Sequence, residues 1–239
     1  VDYFDNPCNV TLSAERRGEI VELAKRWSQH GAIHVIEDSA YRELRYEGDD
    51  VPSLRSFDPE GDTVIVAQTF SKSFSPGLRV GWGILPPSLV EPVCALKGNV
   101  DFGSPNFAQH VMSAVFEEGL FEGQVETLRD EYRRKMNAML DAADEFLAPL
   151  PGTRWRRPSG GLYVWLELPE SLDAGPDGLL FDLALQEGML YVPGHYCYPE
   201  EGRPVSRNTI RLSFGAQSPE RIRQGVEALA RAVRRALNA

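Results

Sequence analysis

The sequence predicts an α/β protein, a mostly parallel sheet with helices on both faces, followed by a small α+β region. Three observations carry this expectation. Helical and strand patterns alternate over the first half of the chain. Residues 64–67 have the length and β-branched content of a buried strand. After Leu150-Pro151-Gly152 the pattern changes to short alternating strands with a helix on either side of the last one.

The elements follow in order. Asp5-Asn6-Pro7-Cys8-Asn9 is turn chemistry. Asn9 can adopt the left-handed conformation that otherwise favours glycine. Ser13 caps a helix in which Ile20, Leu23, Ala24 and Trp27 recur at helical spacing, and Gly31 ends it. Residues 33–38 form a short apolar strand closing on Glu37 and Asp38. Sites in open α/β sheets form beyond the carboxyl ends of strands. The strand at 64–67 leads into Thr69-Phe70-Ser71-Lys72-Ser73-Phe74-Ser75-Pro76-Gly77-Leu78-Arg79, and 79–85 reads as a further strand stopped by Pro86-Pro87. A helix over 87–97 places Leu89, Val93 and Leu96 on one side. Residues 98–106 read as an ordinary connection, and 107–118 as a short helix. Over 123–147, Val125, Leu128, Tyr132, Met136, Leu140 and Ala143 recur at threes and fours, the mark of one long helix. The expected division is therefore 1–122, part of a large domain; 123–150, a long interdomain helix; and 151–239, a small C-terminal domain. In that last part, strands are expected at 154–156, 162–168 and 208–215, with 190–194 as a strand and turn and helices over 177–187 and from Ser218-Pro219-Glu220 onward. The final helix carries the stripe Ile222, Val226, Leu229, Val233 and Leu237.

Composition narrows the function classes. The 239 residues are 42% hydrophobic, enough for one large or two small cores. A net charge of −10 argues against direct contact with nucleic acid. No apolar run approaches the roughly 20 residues of a membrane span, so no membrane partner is expected. Cys8, Cys94 and Cys197 are far apart and offer neither metal spacing nor an even disulfide framework, and the four histidines show no ligand pattern. The expectation is a reducing cytoplasm and no metal.

The chemistry centres on Lys72, set among hydroxyl and aromatic residues and followed by Pro76-Gly77 and Arg79. A lysine that must lose its proton and attack a carbonyl needs such surroundings, since desolvation lowers its pKa. From the residues alone, the same stretch reads equally as a surface turn. Asp38 reads equally as a cap for the next turn, and Arg211 within 208–215 as a surface or ion-paired arginine.

The stretch 69–79 resembles the lysine segment of fold-type I pyridoxal-phosphate (PLP) aminotransferases, class I/II, nearest to the aminoadipate/kynurenine type: hydroxyl residue, any residue, Ser, Lys, then Pro-Gly and Arg. Further matches recur in order down the chain. Residues 6–9 stand where the family has Asn-Pro-Thr-Gly, with Cys8-Asn9 replacing Thr-Gly. Gly160-Gly161-Leu162-Tyr163 resembles its Gly-Gly-aromatic strand. The resemblance implies that Lys72 joins pyridoxal 5'-phosphate as a Schiff base and later acts as the base. Thr69, Ser71 and Arg79 would hold the phosphate, Asp38 would pair with the ring nitrogen, and Asn6 and Tyr41 would meet the ring oxygen. Arg211, with Asn6, would clamp the substrate carboxylate. It further implies amino acid and 2-oxo acid substrates, a homodimer with residues 98–106 near its interface, and correspondence to the C-terminal portion of an aminotransferase. Two alternatives stand: the aminotransferase-like effector part of a winged-helix transcriptional regulator, and a PLP β-lyase or decarboxylase on the same fold.

Overall fold

The computed structural model describes residues 2–202 and 204–239. The chain divides into two compact units, Val10–Arg129 with the residues up to Asp5, and Asp130–Ala239 with Asn6–Asn9.

In the first unit, helix α1 (Ala14–Trp27) starts at Ser13, whose hydroxyl accepts the Arg16 N–H at 3.2 Å. Its buried stripe is Arg17, Val21 and Ala24, not the one expected from Leu23 and Trp27, which are 51% and 60% exposed. The cause is Arg17, which is drawn inward by the buried carboxylates of Asp2 and Glu37 and sets the rotation of the helix. Strand β1 (Val35–Asp38) pairs in parallel with β2 (Val64–Thr69), in the register Val35↔Val64 to Asp38↔Ala67. A single helical turn, α2 (Phe70–Ser73), follows β2 directly.

Strand β3 (Gly81–Ile84) then returns antiparallel, pairing Thr69↔Gly81 to Val66↔Ile84. The sheet of order β1-β2-β3 is thus mixed, with one parallel and one antiparallel pair. Residues 70–80 are too few for a parallel return, which needs a crossover of roughly a dozen residues or more, usually a full helix. Val21, Leu54, Val64 and Val66 form one apolar cluster. Phe70, Met112 and Val115 form another. Helix α3 (Pro87–Asp101) begins with Pro87 in its first turn and buries no residue. Helix α4 (Asn106–Glu117) buries Ala108, Met112 and Val115. Helix α5 (Leu120–Phe146) has 27 residues and continues from the first unit into the second.

The second unit is built on an antiparallel sheet. Its strands are β4 (Arg154–Trp155), β5 (Tyr163–Glu167), β6 (Val192–Pro193) and β7 (Thr209–Ser213), in the order β4-β5-β7-β6. Helix α6 (Leu179–Gln186) lies between β5 and β6 in the chain, and helix α7 (Pro219–Leu237) follows β7. Alternation decides the faces. Val164, Leu166, Ile210 and Leu212 are buried on one side, while Trp165 and its register partner Arg211 stand half-buried on the other. The expected strand at 190–194 shrinks to two residues, because Pro193 has no N–H to extend the ladder. Helix α7 buries Ile222, Val226, Leu229 and Val233. Among the described residues no helix is long and apolar enough to cross a membrane. No group of His, Cys, Asp and Glu among them could hold a metal ion. Among the described residues Cys8, Cys94 and Cys197 form no disulfide.

Candidate active site

The first unit brings six of the expected residues to the carboxyl ends of its parallel strands. Strand β2 ends at Thr69, and its side chain caps α2 by accepting the Ser71 N–H at 3.1 Å. The Thr69 hydroxyl donates to Ser71 Oγ at 3.0 Å. Arg79 folds back over the same turn and donates from Nη1 to Ser71 Oγ and to the Pro76 carbonyl, both at 3.1 Å. It does so from a left-handed backbone, φ 56°, that a non-glycine residue seldom adopts. Thr69, Ser71 and Arg79 therefore form one cluster of donors. Two hydroxyls and an exposed guanidinium suit the several oxygens of a phosphate.

Packing fixes the turn that carries Lys72. Phe70 and Phe74, one helical turn apart, both lean on Phe121, with ring centroids at 5.9 and 6.4 Å. Phe116 closes on Phe70 at 5.7 Å. With its aromatic side anchored, α2 holds Lys72 half-buried, its Nζ 5.9 Å from the centre of the Tyr41 ring. Among the described residues Lys72 Nζ has no hydrogen-bond or ion-pair partner, so its nitrogen is available to a ligand. Tyr41 is itself buried, 7% exposed. Asp38 ends β1 opposite Ala67, two residues before Thr69 on β2. One of its carboxylate oxygens accepts the Ala40 N–H at 3.2 Å.

Glu37, the neighbouring acid, faces the other way. It is buried with Arg17 and Asp2, Arg17 Nη1 lying 3.6 Å from its carboxylate. Arg17 also bonds the Asp2 carboxylate, and donates to the Asp2 carbonyl at 2.8 Å and the Leu12 carbonyl at 3.0 Å. Its guanidinium covers the Tyr3 ring at 3.9 Å. Burial, with Glu37 nearby, pushes the Asp2 carboxyl up to about 7 against the pull of Arg17. Sequence reasoning missed this network, although an arginine at the i, i+4, i+7 positions shared with Val21 and Ala24 was its one available signal.

Asn6 and Arg211 belong to the second unit. Arg211 lies in β7, donates from Nη1 to Asn6 Oδ1 at 2.6 Å and rests over the Tyr163 ring at 4.6 Å. Its Nε is buried and has no hydrogen-bond partner among the described residues. Asn9 adopts φ 59°, the left-handed conformation. Its amide Nδ2 donates to the carbonyls of Gly160 and Tyr163, each at 2.7 Å. The sequence indicated the backbone demand at position 9 but not this side-chain role, whose partners lie more than 150 positions away.

A family model described as "Aminotransferase class I and II" matches residues 3–229. The chain belongs to this family. Among its relatives is the aromatic-amino-acid aminotransferase 1 of Thermococcus litoralis, 36% identical over 97% of this chain and 52% of the relative. An uncharacterized HTH-type transcriptional regulator of Bacillus subtilis is 33% identical over 97% of this chain and 45% of its own length. The crystal structure of the alpha-aminoadipate aminotransferase LysN from Thermus thermophilus, complexed with N-(5'-phosphopyridoxyl)-L-leucine, is 33% identical and superposes with a TM-score of 0.87, covering 100% of this chain and 58% of that one. The chain spans about half the length of the curated relatives it matches.

Proposed function

We propose that the protein is a PLP-dependent aminotransferase that moves an amino group between an amino acid and a 2-oxo acid. The observation that carries this reading is the Thr69–Ser71–Arg79 donor cluster, built around a lysine with no hydrogen-bond or ion-pair partner among the described residues, next to a strand-end carboxylate. Family membership and the pyridoxyl-amino acid bound in the LysN relative support it.

The residues fit pyridoxal phosphate by the chemistry of the donor set. Thr69, Ser71 and Arg79 hold the phosphate through hydroxyl and guanidinium donors. Asp38 would offer a carboxylate oxygen to the ring nitrogen, and Asn6 and Tyr41 would serve the ring oxygen. When bound, the cofactor supplies an aldehyde for an amino group and a ring that accepts the electron pair left at the α-carbon. Lys72 Nζ would hold the cofactor at its aldehyde, and its free amine would take the substrate α-proton as general base and return it one carbon away. Arg211 grips the substrate α-carboxylate with Asn6 at its side, which fixes the direction of the C–H bond to be broken and is catalysis by orientation.

The substrates are thus an amino acid and a 2-oxo acid. The protein acts as a homodimer in a reducing cytoplasm, and the exposed apolar residues Leu96, Val100, Phe102 and Phe107 around the end of α3 are in keeping with a dimer contact. The HTH-type relative favours a second reading, the effector part of a transcriptional regulator. Product analysis separates the readings. Incubated with PLP, an amino acid donor and a 2-oxo acid acceptor, the protein should form the new amino acid in step with loss of the donor. Cofactor binding without any amino transfer, over a broad panel of donors, contradicts the enzyme reading and favours the regulator. Ammonia or carbon dioxide as product points instead to a lyase or decarboxylase.

A further inference from the structure

We propose that Asn9 is a positioning residue for Arg211, acting through the turn that carries Asn6. The inference rests on the reading of Arg211 as the carboxylate clamp. Position 9 needs a left-handed backbone, φ 59°. Glycine would meet that need without steric cost. The chain instead places an asparagine there, 7% exposed, with a buried Oδ1 that has no partner among the described residues. An unpaired buried oxygen is unfavourable by itself. What the side chain provides in return is on its other branch. Both N–H groups of Nδ2 are spent, one on the Gly160 carbonyl and one on the Tyr163 carbonyl, each at 2.7 Å.

These bonds close a ring of contacts within the second unit. Asn9 grips the backbone of Tyr163. The Tyr163 ring lies against the Arg211 guanidinium at 4.6 Å. Arg211 Nη1 donates to Asn6 Oδ1 at 2.6 Å, and Asn6 returns through the turn to Asn9. Arg211 is thereby held on two sides, by a ring face and by a carbonyl oxygen, with its buried Nε still unspent. The ladder between β5 and β7 already places Tyr163 beside the strand of Arg211. The Asn6 hold has no such ladder: it depends on the 6–9 turn being fastened to the start of β5, and Asn9 supplies a side-chain fastening there.

The test uses the 239-residue protein loaded with PLP and propionate, a carboxylate with no amino group to react. Two readouts are followed by NMR, the propionate affinity and the Arg211 Nε–H resonance, assigned by its loss in Arg211→Lys. Asn9→Gly keeps the backbone conformation and removes both donors. It should weaken propionate binding about fivefold or more, the worth of roughly one hydrogen bond of misplacement, and move the Nε–H signal toward that of a mobile arginine. Asn9→Asp, of equal size and without the donors, supplies the same comparison should the glycine variant not fold. A change in melting temperature with both readouts unmoved overturns the proposal, since Asn9 would then be purely structural. If Arg211→Lys itself leaves propionate affinity unchanged, Arg211 is not the clamp and both readings fall. If Arg211→Lys weakens binding and the Asn9 variants do not, only the present inference falls.

Discussion

Arg79 reaches Ser71 from a strained backbone, which is the kind of local cost that persists where the surrounding structure demands it. If its guanidinium serves the phosphate, Arg79→Ala should weaken PLP binding about 10- to 100-fold, the range of a charge-assisted hydrogen bond. It should leave the binding of pyridoxal, which lacks the phosphate, nearly unchanged. Equilibrium dialysis with the two compounds checks this, and an equal loss for both would assign Arg79 a structural role. At this scale the sequence was informative where a residue's chemistry is local. Thr69, Ser71, Lys72 and Arg79 lie within one turn and its return, so their spacing alone brings them together. Glu37 and Asn9 were opaque for the opposite reason. Their partners are Arg17, 20 positions before Glu37, and Gly160 and Tyr163, more than 150 positions after Asn9, and no local pattern encodes such pairings.

The β2–α2–β3 hairpin is the element on which the proposed site stands. Its return is antiparallel because 70–80 cannot hold a crossover helix, so β3 must run back beside β2 with no room to spare. Gly81 marks the closest approach: a Cβ there would lie 2.7 Å from the Gln68 carbonyl oxygen. Gly81→Ala should therefore destabilise the protein by about 1–3 kcal/mol, the usual cost of forcing extra atoms into a packed place. Urea unfolding measures this, and a variant as stable as the parent would mean that the hairpin can shift freely. The strand at 64–67 and the long helix α5 were readable because their patterns are long or distinctive. The pairing direction of β3 was not, since a strand's own residues say little about which way its neighbour runs. The rotation of α1 was misread because leucine and tryptophan were weighted over the arginine that is in fact buried.

At the scale of the whole molecule, the buried set of Asp2, Arg17 and Glu37 ties stability to pH. Two carboxylates share one guanidinium in a site closed to water, and the Asp2 carboxyl rises from its ordinary 3.8 to about 7, chiefly through burial. Between those values the folded chain keeps a proton that the unfolded chain has released. Stability contributed by this group is thus full below pH 3.8, falls as pH rises toward 7 and is flat above it. Asp2→Asn should flatten the pH dependence of thermal unfolding over that window, and an unchanged slope would show that the proton resides elsewhere. The fold itself only prepares the ground for the chemistry: an α/β unit that ends its parallel strands in Asp38 and Thr69, and an antiparallel unit that presents Arg211 with Asn6. The central claim is that Lys72 is the residue joined to the cofactor, and one measurement tests it most directly. The PLP-treated protein is reduced with borohydride, digested and read by mass spectrometry. A single pyridoxyl-phosphate label on Lys72, lost in Lys72→Ala, is the predicted result; a label on another lysine, or labelling that survives Lys72→Ala, contradicts the account.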